Sequence, residues 1–267
     1  MSTYRISVIM GIYNCAETLA EALDSLYAQT YKNFKIIMCD DGSSDSTYEI
    51  AKNYANKYSN IILLKNEHNK GLNYTLNKCL EAVDTEYVAR MDGDDISLPT
   101  RFEKEIAFLD NNPDIAIVSC PMIHFDNNGD YRTGIAHEYP TIYSFIKGSP
   151  FCHAPVMIKT EAINCVNGYT DDKRFLRIED YNLFMKLYAA GYKGHNLLEP
   201  LYKMRDDRNA YKRRTLSARI NSCRARLIAY KALGIKWYYF PYAFRPIIIG
   251  LLPYPLYKLL RNLKYKK

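Results

Sequence analysis

Tyr87-Val-Ala-Arg-Met-Asp-Gly-Asp-Asp95 is a short apolar run that ends in three carboxylates within four residues. Like charges at that spacing repel one another, and the glycine between Asp92 and Asp94 adds no packing. The stretch reads as a buried strand with a charged end. Working outward, the same design repeats. Tyr4–Met10 is a β-branched run, followed by Leu19, Ala22, Leu23, Leu26 and Tyr27 at helical spacing. Phe34–Cys39 is a second strand and ends at Asp40-Asp41-Gly42. Ser43 or Ser44 is placed to cap a helix that carries Ile50, Ala51, Tyr54 and Tyr58 on one face. Asn60–Lys65 is a third strand. After Asn69-Lys70-Gly71, Leu72, Leu76, Cys79, Leu80 and Val83 share a helix face. Ile115–Cys120 follows the acidic turn as a fifth strand. Strands alternating with helices predict an α/β fold with a Rossmann-like, mostly parallel sheet flanked by helices. Ligands of such sheets sit at the carboxyl ends of the strands. That edge would gather Gly11 to Asn14, Asp40, Asp41, Asn69, Lys70, Asp92, Asp94 and Asp95.

Beyond Pro121 the pattern is more broken. Phe125-Asp-Asn-Asn-Gly-Asp-Tyr-Arg132 predicts a hairpin turn and Ala154–Lys159 a strand. Ile178–Gly191 predicts a helix with Tyr181, Phe184, Leu187 and Tyr188 inward and Gly191 as its stop. At 267 residues the chain is long enough for one large domain or one domain with an appendage. The net charge of +7 conceals a split. Residues 203–267 hold 17 Lys and Arg against two acids, which leaves 19 basic and 27 acidic residues before them. An acidic body and a basic tail suggest a catalytic unit that meets an anionic surface. The seven cysteines are scattered singly, with no CxxC pair, and read as small core residues in a reducing compartment. The opening residues lack the order of a signal peptide, so cytoplasmic exposure is expected.

The carboxylates admit two readings. A hard divalent cation takes oxygen ligands, and Mg2+ or Mn2+ commonly uses one or two carboxylates plus substrate phosphates. Alternatively, an acidic turn is simply solvated, with acids favouring the start of the helix after Pro99. Glu179 and Asp180 admit the same pair of readings, as an acid-base pair or as the acidic first turn of an amphipathic helix.

The wider pattern resembles the family 2 glycosyltransferases. It is carried by ISVIMGIYN (6–14), SLYAQTYKNFKIIMCDDGSSDST (25–47) and NKGLNYTLNKCLEAVDTEYVARMDGDDISLPTRFEKEIAFLDNNPDIAIVSC (69–120). It resumes at HAPVMIKTEAINCVNGY (153–169) and IEDYNLFMKLYAAGYK (178–193). The resemblance implies a GT-A fold over residues 1–210 and an inverting enzyme. The donor would be a UDP-sugar carrying a hexose or N-acetylhexosamine, with Mn2+ or Mg2+ as cofactor. The acceptor would be a glycan or lipid-linked oligosaccharide of capsule or lipopolysaccharide synthesis. By the same resemblance, Tyr13, Asn14 and Glu17 wrap the base and ribose. Asp41 bonds the uracil N–H with Asp40 assisting, and Lys70 and Gly71 flank the nucleotide. Asp92, with Gly93 beside it, contacts ribose or shares the metal, and Asp94 holds the metal on the diphosphate. Asp95 caps the next helix or orients Asp94. Asp180 of the Glu179-Asp180 pair is the base. His153 touches the acceptor or bonds to backbone.

One departure stands out. Relatives carry a histidine after a Tyr-Arg pair beyond the base helix, whereas this segment reads LYKMRDDRNAYKRR (201–214). Arg205 or Arg208 would then contact the diphosphate, a role that suits a guanidinium. Residues 211–267 form a basic, aromatic, helical extension. Its apolar run Pro246–Tyr257 is shorter than the about 20 residues a bilayer span needs. Trp237, Tyr238, Tyr239 and Tyr242, bracketed by cations, suit the headgroup region of an anionic membrane, on its cytoplasmic face. A helical subdomain packed on the body, or a dimer contact, is the alternative. No nucleic-acid partner is expected, because no such fold or motif accompanies the charge. A sugar nucleotidyltransferase would need a glycine-rich basic loop after the first strand, which GIYNCAET lacks. A non-catalytic nucleotide-sugar-binding protein would tolerate loss of either acidic motif, and both are present. Neither GxGxxG nor a Walker A sequence occurs.

Overall fold

In a computed structural model of the chain, residues 3–170, 172, 175, 178–206 and 216–251 are described. The central sheet is built from β1 (Ile6–Ile12), β2 (Phe34–Asp40), β3 (Ile61–Lys65), β4 (Tyr87–Arg90), β6 (Ile115–Ser119), β9 (Met157–Lys159) and β10 (Lys193–Asn196). Its strand order is β10-β6-β9-β4-β1-β2-β3. β9 alone runs antiparallel, paired with β4 on one side and β6 on the other. All other pairings in this sheet are parallel. The expected mostly parallel, flanked sheet is therefore present.

Successive residues along β1, β2 and β4 alternate between two cores, as a strand requires. Ile9, Ile37, Cys39 and Val88 face one core. It is completed by Leu76 and Cys79 of α3 (Leu72–Leu80), Ala162 and Ile163 of α5 (Thr160–Cys165), and α6 (Glu179–Ala189). Val8, Met10, Ile36 and Met38 face the other. There they meet α1 (Leu19–Tyr27), α2 (Thr47–Lys57) and α4 (Arg101–Asn111). Burying one such side chain contributes about 1.5–3 kcal/mol, so both faces are needed to hold the sheet.

A second sheet has the order β5-β11-β7-β8, from β5 (Ile96–Ser97), β7 (Met122–Asp126), β8 (Gly129–Thr133) and β11 (Tyr202–Arg205). The hairpin expected near residues 125–132 is β7–β8, and Asp126 Oδ1 accepts from the Asn128 N–H in its turn at 2.9 Å. The two-residue β5 was not foreseen. It begins directly after Asp95 and pairs with β11, so the acidic turn is tied to β11.

Three local expectations are corrected. Ser46, not Ser43 or Ser44, stands at the N-cap of α2, and the capping oxygen is Asp45 Oδ1, which accepts from the Thr47 N–H at 3.0 Å. Asp95 does not cap α4, whose N-cap is Thr100. α6 is buried over more than the expected stripe, with Asn182, Leu183 and Met185 also inside. α7 (Leu216–Ala232) packs against α6, and its Cys223, Ala229 and Tyr230 join the same core. Gly191 does end α6. With φ of 89° it lets its own N–H reach Tyr188 O and that of Tyr192 reach Leu187 O.

After α7 the chain forms a 3-10 turn, Trp237–Phe244, and α8 (Arg245–Leu251). Among the described residues no helix is long and apolar enough to cross a membrane. Arg208 and the end of the apolar run, from Leu252 on, lie outside the described residues.

Candidate active site

The loop after β1 is the first wall of the site. Asn14 adopts φ of 47°, a left-handed conformation that asparagine tolerates better than most residues. Side chains from the loop after β2 hold it there. Ser43 Oγ accepts from the Asn14 N–H at 3.0 Å, Asp45 Oδ2 from Ala16 N–H at 3.2 Å and Thr47 Oγ1 from Cys15 N–H at 2.8 Å. Asn14 Oδ1 accepts from the Ser44 N–H at 2.9 Å. The serines expected to cap a helix thus bind two loops together.

The acidic turn is the second wall. A Cβ on Gly93 would lie 2.8 Å from Cys15 Sγ and 3.3 Å from Ile12 Cγ2, so only glycine fits between the loops. Its carbonyl accepts from Thr18 Oγ1 at 2.9 Å. Between the walls is a cleft of about 480 Å³, lined by Tyr13, Asn14, Glu17, Asp45, Asp92, Gly93, Asp94 and Arg205, among others. The structure therefore brings together seven of the residues singled out in the sequence. Asp40, Asp41, Lys70, Gly71, His153, Glu179 and Asp180 do not line this cleft.

The carboxylates differ in their surroundings. Both Asp92 oxygens are held by the buried guanidinium of Arg90, at 2.9 and 2.5 Å, and the Asp92 N–H donates to Tyr202 OH at 3.2 Å. Asp95 Oδ1 accepts from the Arg205 N–H at 2.8 Å. Burial, then the charges of Asp92 and Asp94, push its carboxyl up to about 8. Asp94 has no hydrogen bond from another described side chain. Burial and the Asp92 charge push its carboxyl up, against the pull of Arg205 and Arg90. Arg205 donates through Nε to Asp94 O at 3.0 Å and through Nη2 to Glu21 Oε2 at 2.5 Å.

Cleft chemistry follows from this inventory. Glu17, Asp45, Asp92 and Asp94 face it and Arg205 is its one cation among the lining residues. Among the described lining residues the carboxylates outnumber the cations, so a divalent cation would offset the charge that repels a diphosphate. Asp94, an oxygen donor bonded by no other described side chain, fits a hard ion that keeps water and phosphate ligands. Among the described residues no group of three or more His, Cys, Asp and Glu side chains is arranged to hold a metal on its own, so phosphate oxygens would have to complete its shell.

Asp41 is buried and holds the neighbouring loop. Its Oδ1 accepts from Asn66 Nδ2 at 2.8 Å and Lys70 N–H at 2.9 Å, and its Oδ2 from Gly71 N–H at 2.9 Å. One of the about four acceptor positions of a carboxylate remains. Asp40 Oδ2 accepts from the Ser43 N–H at 3.3 Å, whereas Oδ1 is buried with no partner.

A second set of the sequence-predicted residues lies outside this cleft. Asp180, in the first turn of α6, is raised by burial and pulled back by the Tyr181 N–H, the Ser149 hydroxyl and Arg90. Glu179 precedes it. His153 Nε2 lies 2.8 Å from Tyr169 OH. Burial and Arg90 hold its pKa well below the ordinary value, so the ring is neutral at neutral pH. Arg90, Tyr169 and Tyr202 were missed in the sequence.

Residues 7–167, more than half of the chain, match the family model described as Glycosyl transferase family 2. The chain is a family 2 glycosyltransferase. EpsE of Bacillus subtilis (strain 168), assigned by name to the glycosyltransferases, is 40% identical over 250 residues, covering 93% of this chain and 90% of its own. The Escherichia coli UDP-Gal:alpha-D-GlcNAc-diphosphoundecaprenol beta-1,3-galactosyltransferase is 34% identical over 223 residues, 79% of this chain and 78% of that one. Among solved structures, S. aureus TarS 1-349 in complex with UDP-GlcNAc has a TM-score of 0.69 at 17% identity, over 93% of this chain and 82% of that one. The mannosyltransferase PcManGT from Pyrobaculum calidifontis, solved with GDP-Man and Mn2+, has a TM-score of 0.63 at 18% identity, over 97% and 80%. These likenesses give the family 2 enzyme a GT-A fold.

Proposed function

We propose that this glycosyltransferase moves a sugar from a UDP-sugar to a hydroxyl of a lipid-linked glycan, with inversion at the anomeric carbon. The observation that carries the reading is the Asp94 carboxylate, unbonded by other described side chains, on the lining of an acidic cleft walled by the post-β1 loop. Tyr13, Asn14 and Glu17 hold base and ribose, and Asp41 offers its remaining acceptor position to a ring N–H. Asp94 holds the divalent cation, with Asp92, fixed by Arg90, behind it. When bound, that ion neutralises the leaving diphosphate, commonly a large term in such transfer. Arg205 adds a guanidinium to the same group.

Asp180 takes the proton of the acceptor hydroxyl. Burial raises its carboxyl, which makes it a stronger base than a solvated aspartate. The neutral His153, bonded to Tyr169, presents a polar face to the acceptor. The UDP-Gal and diphosphoundecaprenol named for the Escherichia coli relative favour a UDP donor and a lipid diphosphate acceptor. Such an acceptor lies in a membrane. The described end of the chain suits that surface, since Trp237 is 81% exposed and Tyr242, Ile248 and Leu251 are also exposed beside Lys236 and Arg245.

The test is a panel of nucleotide-sugars assayed for binding and turnover with Mn2+, with Mg2+ and with EDTA. One UDP-sugar should bind and turn over only with metal, and Asp94→Ala should abolish both. Binding that ignores EDTA and survives Asp94→Ala would overturn the assignment. Sedimentation with vesicles containing anionic lipid, compared with neutral vesicles, tests the membrane surface.

A further inference from the structure

The exposed aromatic side chains near the end of the described chain do not stand alone. Tyr143, on the 3-10 turn Ile142–Ile146, is 41% exposed although it belongs to the catalytic body. Its ring lies 5.6 Å from that of Tyr239. Tyr239 in turn lies 4.7 Å from Tyr238 and 6.3 Å from Tyr242, and Trp237 lies 6.1 Å from Tyr238. Tyr239 is half-buried, whereas the other four rings are exposed. An apolar residue exposed singly needs no explanation, but a contiguous patch drawn from two segments marks an interaction surface.

The charge around the patch says what it meets. Lys147 closes the turn that carries Tyr143, Lys236 Nζ lies 5.9 Å from the centre of the Tyr238 ring, and Arg245 follows Phe244. All three are exposed. No acidic residue occurs between Glu138 and Glu161, or after Asp207. The two segments therefore offer aromatic rings among cations, with no acid of their own. Trp and Tyr favour the headgroup layer, and a Lys or Arg beside it is drawn to anionic lipid. A second copy of the chain fits less well, because a two-fold contact would set the same cations against each other.

We infer that the 3-10 turn Ile142–Ile146 docks on the anionic headgroup layer together with Trp237–Phe244, so that the catalytic body itself touches the bilayer. This rests on the proposed membrane surface and extends it from the end of the chain to the body. Its functional weight comes from what lies behind the turn. Phe145 O accepts from Tyr181 OH at 3.0 Å, and the Phe145 and Tyr181 rings meet edge-on at 5.5 Å. Tyr181 follows Asp180 on α6. The turn that meets lipid also braces the helix of the proposed base, which sets the height of that helix above the bilayer that holds the acceptor.

Trp237 is the only tryptophan of the chain, so its fluorescence reports one place. The experiment adds vesicles of phosphatidylcholine, alone or with phosphatidylglycerol, to the full chain. It records the emission wavelength and quenching by acrylamide. Trp237 should move to shorter wavelength and become shielded only with phosphatidylglycerol. In a Trp237→Phe background the reporter is then placed in the turn by Tyr143→Trp, or on β3 by Ile62→Trp. Ile62 is exposed, on the strand at the opposite edge of the central sheet from β10. Tyr143→Trp should shift and become shielded as Trp237 does, and Ile62→Trp should stay as it is in buffer.

An unmoved Tyr143→Trp beside a shifted Trp237 overturns the inference and leaves the membrane surface to the end of the chain. Equal shifts at residues 143 and 62 overturn it as well, because contact is then not confined to one face. If Tyr143→Trp fails to fold, Lys147→Glu decides. It reverses one exposed charge and should weaken binding to phosphatidylglycerol vesicles about 10- to 30-fold. Wild-type vesicle affinity in that variant overturns the inference. If Trp237 itself never shifts, the underlying membrane reading falls and this inference falls with it.

Discussion

The backbone N–H of Arg205 donates to Asp95 Oδ1 at 2.8 Å, across 110 residues of sequence. It joins the end of β11 to the acidic turn and so fixes one wall of the cleft. Asp95→Ala leaves that N–H without its acceptor and should lower stability by about 1–3 kcal/mol. Asp95→Asn keeps an acceptor oxygen and should cost less than about 1 kcal/mol. Urea unfolding of the two variants measures the difference.

Gly93 and Cys15 test the close approach of the two walls. Gly93→Ala places a Cβ 2.8 Å from Cys15 Sγ and should reduce UDP affinity by about tenfold, through displacement of the post-β1 loop. Adding Cys15→Ala makes room and should recover at least about half of the lost binding energy, a coupling expected of side chains in contact. Calorimetry on the three variants reads it out.

Arg205 holds Glu21 in the structure, at 2.5 Å. If it turns to a diphosphate on binding, Glu21 competes with that ligand. Arg205→Ala should weaken UDP about 10- to 100-fold, the worth of one charge-assisted hydrogen bond, and leave uridine affinity unchanged. Glu21→Gln should tighten UDP modestly. Equal losses for UDP and uridine in Arg205→Ala would place the guanidinium away from the phosphates.

Asp180 must be ionised to accept a proton. Because burial raises its carboxyl above the ordinary 3.8, activity should fall as pH drops through that raised value, well before a solvated aspartate would titrate. Asp180→Asn should abolish transfer across the whole range while UDP affinity stays within about twofold. A pH-rate profile with parallel calorimetry checks both.

Arg101 and Glu105 form an ion pair that is fully buried, with Arg101 Nε 3.2 Å from either Glu105 oxygen. Arg101→Ala strands a carboxylate and should cost about 3–5 kcal/mol. Arg101→Met with Glu105→Leu, which removes both charges at similar volume, should recover most of that. Denaturant unfolding decides, and a double variant no better than the single would show that the Arg101 bond to Arg90 O matters more than the charge.

The strands of the central sheet were legible because β1, β2 and β4 are apolar on both faces and end in glycine or acid. The partners within the site were less so. Arg90 interrupts an apolar run and looks like a solvent-facing residue. The available signal was its spacing, since residues two apart on a strand point to one face, which sets Arg90 beside Asp92. Tyr202 and β5 carried no local sign, because a two-residue strand has too few residues to show a period. The antiparallel course of β9 is likewise a tertiary fact. Ser43 and Ser44 have cap chemistry but spend it on Asn14, one loop away, because the N-cap of the following helix, Ser46, lies three and two residues beyond them.

The family match stops at residue 167, twelve residues short of α6, and the basic segment looks dispensable on paper. In three dimensions α7 packs on both α6 and the 3-10 turn Ile142–Ile146, where its Tyr230 OH donates to Ile146 O at 3.3 Å and its Arg226 Nη1 reaches the same carbonyl at 2.8 Å. α7 thus backs the scaffold that carries Asp180, the proposed base. Trimming the protein to its recognisable motif would strip that support from the helix that carries Asp180, so the fold around this helix draws on more of the chain than the sequence signature that identifies it.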